Sequence, residues 1–332
     1  MNQQAEKLAT TEQREVILET RALETHFNIG GGRMVHAVDG MDIEIYKGEV
    51  VGLVGESGSG KSTLGKTLVG LTPKTAGEAL FQGQMLPAKY TGNDYKRFSQ
   101  QIQMIFQDPY TSLNPRMTIF DIIREPLMLQ GEGRRDIAKD RELVASWLEK
   151  VGLKADHMSR YPHEFSGGQR QRVGIARALI VEPEFVVCDE PISALDVSVQ
   201  AQVVNLLGEL KDSMDLTLLF IAHDLSMVRY ISDRIIVMYM GAMVEEGPAD
   251  ELFFNPQHPY TQLLVSSNPV ADPKREREFE HDAIIGEVSS PINVKPGCRF
   301  AKRCPKVMPQ CEDQTPTLVA VDNRRIACHL FD

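Results

Sequence analysis

The stretch VGLVGESGSGKSTLGKTL, from Val51 to Leu68, constrains this chain more than any other. Val50, Val51, Leu53 and Val54 form a short β-branched apolar run that reads as a buried strand, while Thr63, Leu64, Lys66, Thr67, Leu68 and Val69 suit a helix. A tight loop must join them. Gly55, Gly60, Lys61 and Ser62 fit the spacing G-x-x-x-x-G-K-[ST], with Glu56, Ser57, Gly58 and Ser59 between the glycines. Glycines there let backbone N–H groups turn inward around an anion, and the start of the helix adds orphan donors and the positive end of its dipole. Lys61 supplies a point charge for the β/γ-phosphates and Ser62 a hydroxyl for Mg²⁺, with Thr63 following in the first turn. An ordinary Gly/Ser turn is the bland alternative; the strand before and the helix after, which the cradle requires, favour nucleotide.

With 332 residues, 42% of them apolar, the chain exceeds the usual size of one core, so a large domain with a smaller appendage is expected. The net charge of −10 argues against nucleic acid as a partner. Runs such as Leu216 to Ala222 have the length of buried strands, not of membrane spans. The polar N-terminus MNQQAEKLATTEQREV lacks the pattern of a secretion signal and reads as a loose tail over 1–15, so residence in the cytoplasm is expected.

Residues 16 to 54 alternate apolar segments with turns (VILETRALETHF, VHAVDGMDIEIY, GEVVGLVG), as an antiparallel group leading into a central strand would. After strand-like IQMIFQ come helical stretches, DIIREPLML and RELVASWLEKVGL, with a polar interruption at Gly131 to Arg135; they read as a helical insertion over about 108–180. From Glu184 strands alternate with helices: FVVCDEP, then VSVQAQVVNLLGELKDSM, LTLLFIAH, LSMVRYISD and RIIVMYMG. That order implies an α/β fold with a parallel sheet. KREREFEHD near 274 reads as a solvated charge run, and the segment from about 283 is rich in turns and cysteine.

Two further stretches narrow the chemistry. Phe185, Val186 and Val187 lead through Cys188 to Asp189 and Glu190, so two carboxylates emerge at a strand end, which in open α/β sheets faces the ligand crevice. Asp189 can hold Mg²⁺ through water and Glu190 can act as general base on an attacking water; Cys188 reads as core. Ser166, Gly167, Gly168 and Gln169 precede the helical run VGIARAL, a second anion-binding helix start far along the chain from the first.

Together these motifs resemble the ATPase subunits of ABC transporters, over nearly the whole chain. GESGSGKST is similar to the family's Walker A loop, Gln107 in IFQDP to its Q-loop and FSGGQ to its signature motif, with Phe165 in place of the commoner Leu. FVVCDEP is similar to Walker B, Ser193, Ala194, Leu195 and Asp196 to the D-loop, and His223 in IAHD to the switch histidine. The resemblance implies an ABC-type P-loop ATPase fold over 16–254, with an antiparallel β subdomain and a helical subdomain. It implies a head-to-tail dimer in which ATP lies between one subunit's Walker A loop and the other's signature. Catalytic roles fall to Glu190, His223 and Gln107, magnesium to Ser62, Gln107 and Asp189, and adenine stacking to Phe27, with His36 the weaker candidate.

DPYTSLNPRMTI, HEFSGGQRQR, SALDVSVQAQV, MYMGAMVEEG and NPQHPYTQLL further resemble the oligopeptide/dipeptide importer ATPases. Such a motor would sit peripherally on the cytoplasmic face of the membrane. It would work with a second ABC ATPase, commonly a different one, two permease subunits met through segment 108–130, and an extracytoplasmic solute-binding protein. Oligosaccharide and nickel importers share this ATPase type, and permease-free ABC ATPases are the more distant alternative.

Cys298, Cys304, Cys311 and Cys328 crowd the C-terminal region 255–332, separated by five, six and sixteen residues and without a C-x-x-C pair. Clustered thiols in a reducing compartment suggest a metal, and spacing wider than in zinc ribbons leans toward iron–sulfur, with Zn²⁺ the alternative. The resemblance implies a 4Fe-4S cluster on these four cysteines. His329 is a possible substitute ligand.

Overall fold

The strands are β1 (Val16–Asn28), β2 (Met34–Tyr46), β3 (Val50–Val54), β4 (Ala76–Phe81), β5 (Gln84–Met85), β6 (Ile102–Ile105), β7 (Phe185–Asp189), β8 (Thr217–Ile221), β9 (Arg234–Tyr239), β10 (Ala242–Pro248), β11 (Val319–Val321) and β12 (Arg324–Ile326). Between them run α1 (Lys61–Leu68), α2 (Gly92–Phe98), α3 (Ile119–Met128), α4 (Ile137–Lys150), α5 (Gly167–Leu179), α6 (Val197–Met214), α7 (Leu225–Ile231), α8 (Ala249–Phe254) and α9 (Pro259–Ser266). The computed structural model describes residues 14–129, 136–267 and 291–332; nearly all of the expected N-terminal tail, the interruption at Gly131 to Arg135 and the KREREFEHD run lie outside them.

The main sheet is mixed, in the order β11-β12-β10-β9-β3-β8-β7-β6. Its centre, β9, β3, β8, β7 and β6, is parallel. Every position of β3, β7 and β8 is buried, the continuous apolar run expected where helices cover both faces of a parallel sheet. Helix α1 lies close against this sheet because its centre carries Gly65: a Cβ there would stand 2.8 Å from Val187 and 2.9 Å from Ile221. Strands β2-β1-β4-β5 form a separate antiparallel sheet. In it β1 and β2 pair from Val16↔Tyr46 to Asn28↔Met34, bringing the turn end of the hairpin beside the phosphate loop.

The helical layer follows from apolar spacing. Ile119, Ile122, Ile123 and Leu127 of α3, Val144, Trp147 and Leu148 of α4, and Val173, Ala176 and Leu179 of α5 recur every three or four residues and are buried in one cluster. Thr118, Asp136 and Ser166 cap the three N-termini through side-chain oxygens. Between α3 and α4 the fully buried Asp140 accepts from Arg124 Nε at 2.7 Å, so the carboxylate enters the interior paired.

The C-terminal segment joins the same body. β12 pairs antiparallel with β10, at Glu245↔Ile326 and Glu246↔Arg325, and β11 completes a hairpin on it. Two carboxylates on β10 are buried with their donors: Glu245 accepts from the backbone of Gln257 and His258, and Glu246 is gripped by Arg234 and Arg325. Phe300 stands edge-on to Tyr239 at 5.4 Å and beside Tyr260 at 5.3 Å, fixing the start of the cysteine segment to β9 and α9.

His258 yields a pH prediction. Its Nδ1 accepts from Tyr260 N at 3.0 Å, capping α9, and burial pushes its pKa down from 6.5 to about 4. Above pH 6.5 both folded and unfolded imidazoles are neutral; between there and 4 only the unfolded chain takes up the proton, so stability falls as pH falls. The full loss corresponds to about 3 kcal/mol. His258→Asn keeps an acceptor for Tyr260 N without titrating, so the drop in Tm between pH 7 and 5 should shrink; an unchanged drop contradicts the assignment.

Candidate nucleotide site

β3 ends at Val54 and α1 begins at Lys61, so the glycine-rich segment between them makes the whole turn. Gly60, at the N-cap, has φ +103°, a region glycine alone enters cheaply, and no side chain caps the helix. The first-turn N–H groups therefore open onto a cleft of about 490 Å³. Lys61 Nζ folds back on its own loop, donating to Gly55 O at 2.7 Å and Glu56 O at 3.0 Å. Burial lowers the Lys61 pKa, opposed by the carboxylates of Glu190, Asp189 and Glu56.

Opposite the loop, the strand ends deliver the two acids into different surroundings. Asp189, 2% exposed, accepts from Ser62 Oγ at 2.6 Å, bringing together two oxygen ligands suited to a hard cation. Glu190 follows at φ +43°, and this turn swings its side chain away from Asp189 into the cleft. There Gln107 Nε2 donates to Glu190 Oε2 at 2.9 Å, and His223 Nδ1 stands 3.8 Å from the same oxygen. His223 is 63% exposed at the end of β8. At that exposure it is not a core histidine.

The third wall comes from the antiparallel sheet. Phe27 and Val35 are cross-strand partners and both line the cleft, with Phe27 41% exposed, so an aromatic face is available to a planar ring. The neighbouring pair, His26 and His36, faces the other way: their ring centres lie 4.1 Å apart with the planes tilted by 40°, and His36 is not among the residues lining the cleft. His26, His36 and Asp39 bring their ligand atoms within 4.8 Å of one another. Asp39, however, already accepts from His26 Nε2 at 2.9 Å and from Arg299, and these donors hold its carboxyl below the usual carboxylate range despite burial. The guanidinium supplies the positive partner, and the cluster anchors the C-terminal segment.

The cleft thus gathers Phe27, Ser57, Gly58, Gly60, Lys61, Ser62, Thr63, Gln107, Glu190 and His223, with Gly55, Glu56, Ser59 and Asp189 directly behind them. The signature residues are not among its lining. Ser166 caps α5, accepting from Gln169 N at 3.3 Å while Gln169 Oε1 accepts from Ser166 N at 3.0 Å; Gly167 and Gly168 form the half-buried first turn. Leu195 packs beside Gly167, and Ser193 Oγ donates to Glu190 O at 3.2 Å, so residues 193–196 run from the acid to the helix tip. Arg170 lies 4.0 Å over the Tyr110 ring and Arg177 donates to Ser112 O at 2.6 Å, tying the segment after Gln107 to α5.

The four C-terminal cysteines carry free thiols, with Cys311 and Cys328 buried and Cys298 and Cys304 half-buried. Cys298 N donates to Cys311 O at 2.8 Å. Burial first, and then the neighbouring thiols, push Cys298 up to about 11 and raise Cys304 and Cys328 as well. Among the described residues no three of these sulfurs come within 4.8 Å of one another. His329 is engaged elsewhere, by Asp332 and by Gln314 O at 2.9 Å. Cys188 is fully buried and raised to about 12 by burial, a core thiol as expected.

Sequence reasoning missed Val35, Ala37 and Pro291 in the cleft wall, and Tyr260, Arg299 and Arg303 behind it. Pro291, Tyr260, Arg299 and Arg303 make contacts across about two hundred residues or more, which no local pattern announces, and Val35 and Ala37 enter only through the pairing of β2 with β1.

A phosphate loop at a strand–helix turn, a hydroxyl–carboxylate pair for a cation and an acid–histidine pair facing it define an ATP-binding cassette. Comparison with known proteins agrees. A family model described as ABC transporter matches residues 38–193, and one described as oligopeptide/dipeptide transporter, C-terminal region, matches residues 244–311. The putative oligopeptide transport ATP-binding protein YkfD of Bacillus subtilis is 53% identical over 317 residues, 95% of each chain. The oligopeptide transport ATP-binding protein OppF of Salmonella typhimurium is 48% identical over 334 residues, covering 98% of this chain and 99% of that one. Among solved structures, a dimeric ATP-binding cassette in a post-hydrolysis state bound to ADP and phosphate superposes with a TM-score of 0.65 at 27% identity, covering 70% of this chain and 99% of that one. This chain belongs to the ABC transporter family and is an ATPase of that family.

Proposed function

We propose that the chain is the ATP-hydrolysing motor subunit of an importer of peptides of the oligopeptide/dipeptide class. What carries this is the joint presence of the Ser62–Asp189 and Gln107–Glu190 contacts on either side of the phosphate loop, in a chain whose relatives are named for oligopeptide transport. Mg²⁺ would be taken by Ser62 and, directly or through water, by Asp189 and the Gln107 carbonyl, and would neutralise phosphate charge there. Lys61 leaves its loop carbonyls for the β/γ-phosphates; Phe27 stacks on the adenine. Glu190 accepts a proton from water attacking the γ-phosphorus, and His223, beside it, contacts the departing phosphoryl group.

Because the helix tip Ser166–Gln169 is not in the chain's own cleft, a second ATPase subunit, of the same or another kind, supplies that tip, and ATP closes the pair. Residues 16–254 form the cassette, 108–180 its helical subdomain and 255–332 the importer-type C-terminal region. Exposed Tyr110, Met128 and Leu129 offer apolar side chains to a permease, whose two subunits would carry the path fed by a solute-binding protein outside. Among the described residues no helix is long and apolar enough to cross a membrane, which fits a peripheral place on the cytoplasmic face.

The donor set at the C-terminus suits a metal: four thiols from one segment, with Cys298, Cys304 and Cys328 raised first by burial and then by neighbouring thiols. A mononuclear zinc site with Zn–S near 2.3 Å needs sulfurs roughly 3.8 Å apart. We favour a 4Fe-4S cluster on Cys298, Cys304, Cys311 and Cys328 over Zn²⁺, on the wide spacing of the four cysteines along the chain; it would staple the segment.

The test is to purify the chain with its permease complex in liposomes and measure ATP hydrolysis with and without binding protein loaded with peptides. Stimulation by peptide, and not by oligosaccharide or nickel, is expected; no stimulation by peptide contradicts the proposal.

A further inference from the structure

Behind the phosphate loop a buried arginine pairs with a half-buried glutamate, a contact that none of the motifs accounts for. Arg303, 2% exposed at its side chain, lies in the turn directly before Cys304 and forks onto Glu56, with Nη1 to Oε2 and Nη2 to Oε1 both at 2.8 Å. The guanidinium lies between the rings of Tyr239 and Phe300, at 5.9 and 5.8 Å, and also reaches Tyr239 Oη at 3.4 Å. Glu56 is the residue after Gly55, inside the phosphate loop. Its N–H donates to Tyr260 Oη at 2.8 Å and its carbonyl accepts Lys61 Nζ at 3.0 Å. One loop residue is therefore held by its side chain, its N–H and its carbonyl, and two of those three holds come from residues beyond 255.

The electrostatics make this more than a brace. A carboxylate on the loop that cradles a triphosphate is a like charge in the wrong place; the bidentate guanidinium cancels it and keeps it turned from the cleft. We propose that Arg303 is a positioning residue of the nucleotide site: by neutralising and orienting Glu56 it makes the loop receptive to phosphate, so the cysteine-bearing segment is a working wall of the ATP site. This rests on the assignment of the cleft to Mg-ATP.

The signs differ between the two partners. Arg303→Met leaves Glu56 uncompensated beside the phosphates; Glu56→Gln leaves a positive charge there; the double variant is neutral. Binding of fluorescent N-methylanthraniloyl ATP, ADP and AMP to the full chain separates the outcomes, with Tm recorded for each variant. Expected for Arg303→Met is a loss of at least about tenfold in ATP affinity, smaller for ADP and smallest for AMP, since charge repulsion grows with phosphate count. Glu56→Gln, which removes the repelling charge itself, should lose less affinity than Arg303→Met, and the double variant should regain most of the Arg303→Met loss. Arg303→Lys, which keeps the charge without the fork, should fall between. An equal loss for all three nucleotides, equal damage from both single changes, or no rescue would overturn the proposal even where Tm has fallen. If the unaltered chain fails to bind Mg-ATP, it is the nucleotide assignment itself that falls.

Discussion

Glu190→Gln is expected to abolish steady-state ATP turnover while leaving ATP bound. The amide still offers an oxygen to Gln107 Nε2, which now donates to Glu190 Oε2 at 2.9 Å, so the wall of the cleft keeps its shape. What disappears is the basic carboxylate, and with it the acceptor for the proton of the attacking water. General-base removal costs on the order of 10²- to 10⁴-fold. The same change deletes a negative charge near the γ-phosphate position, so affinity for ATP should hold or rise. Single-turnover hydrolysis and sedimentation with ATP check both halves. Turnover within threefold of the unaltered chain would remove Glu190 from the role of base.

Gly60→Ala is expected to do the reverse, sparing the acids and destroying the cradle. Gly60 has φ +103°, and a Cβ built on it would lie 1.8 Å from Ala37 O, a backbone atom of β2 that cannot step aside alone. The left-handed conformation costs about 1–3 kcal/mol for a residue with a side chain, and relief of the overlap must move the loop away from β2. Either displaces Lys61 and the first-turn N–H groups that immediately follow. Mg-ATP binding should fall by about a hundredfold or more, as several charge-assisted hydrogen bonds lose their alignment together. Gly58→Ala is the control: φ is +80° there too, but no atom lies within 4 Å of the added carbon, so only the conformational cost applies. Similar binding losses in the two variants would show that the close approach to Ala37 does not matter.

Much of this site was legible because its chemistry is local. The phosphate loop, the acids closing β7, His223 after β8 and the Ser166 cap each sit at a junction between a continuous apolar run and a polar turn, and that junction can be read in a few residues. The elements around them followed from the same periodicities, with α6 found where VSVQAQVVNLLGELKDSM placed it. Less visible were short strands that depend on partners. Val319–Val321 and Arg324–Ile326 have three residues each, too few for alternation to register, yet they extend the main sheet because β10 offers them an edge. The partnership of Glu56 with Arg303 was hidden for a related reason. A glutamate in a loop and an arginine in a turn are ordinary surface residues until the fold brings them together, and only burial at 2% exposure sets this arginine apart. His36 illustrates the converse: one step along β2 from Val35, it takes the opposite face of the hairpin and packs its ring against His26, leaving the aromatic wall to Phe27.

The proposed enclosure of ATP by two subunits rests on Ser166 to Gln169, which cap a helix outside the cleft that holds Lys61 and Glu190. The most direct measurement is the structure of the Glu190→Gln chain, in its assembly, with Mg-ATP trapped. The γ-phosphate should lie within hydrogen-bonding distance, about 3 Å, of the serine hydroxyl and glycine N–H groups capping the opposing subunit's helix. ATP gripped by a single chain, with no opposing helix tip at its terminal phosphate, would contradict it.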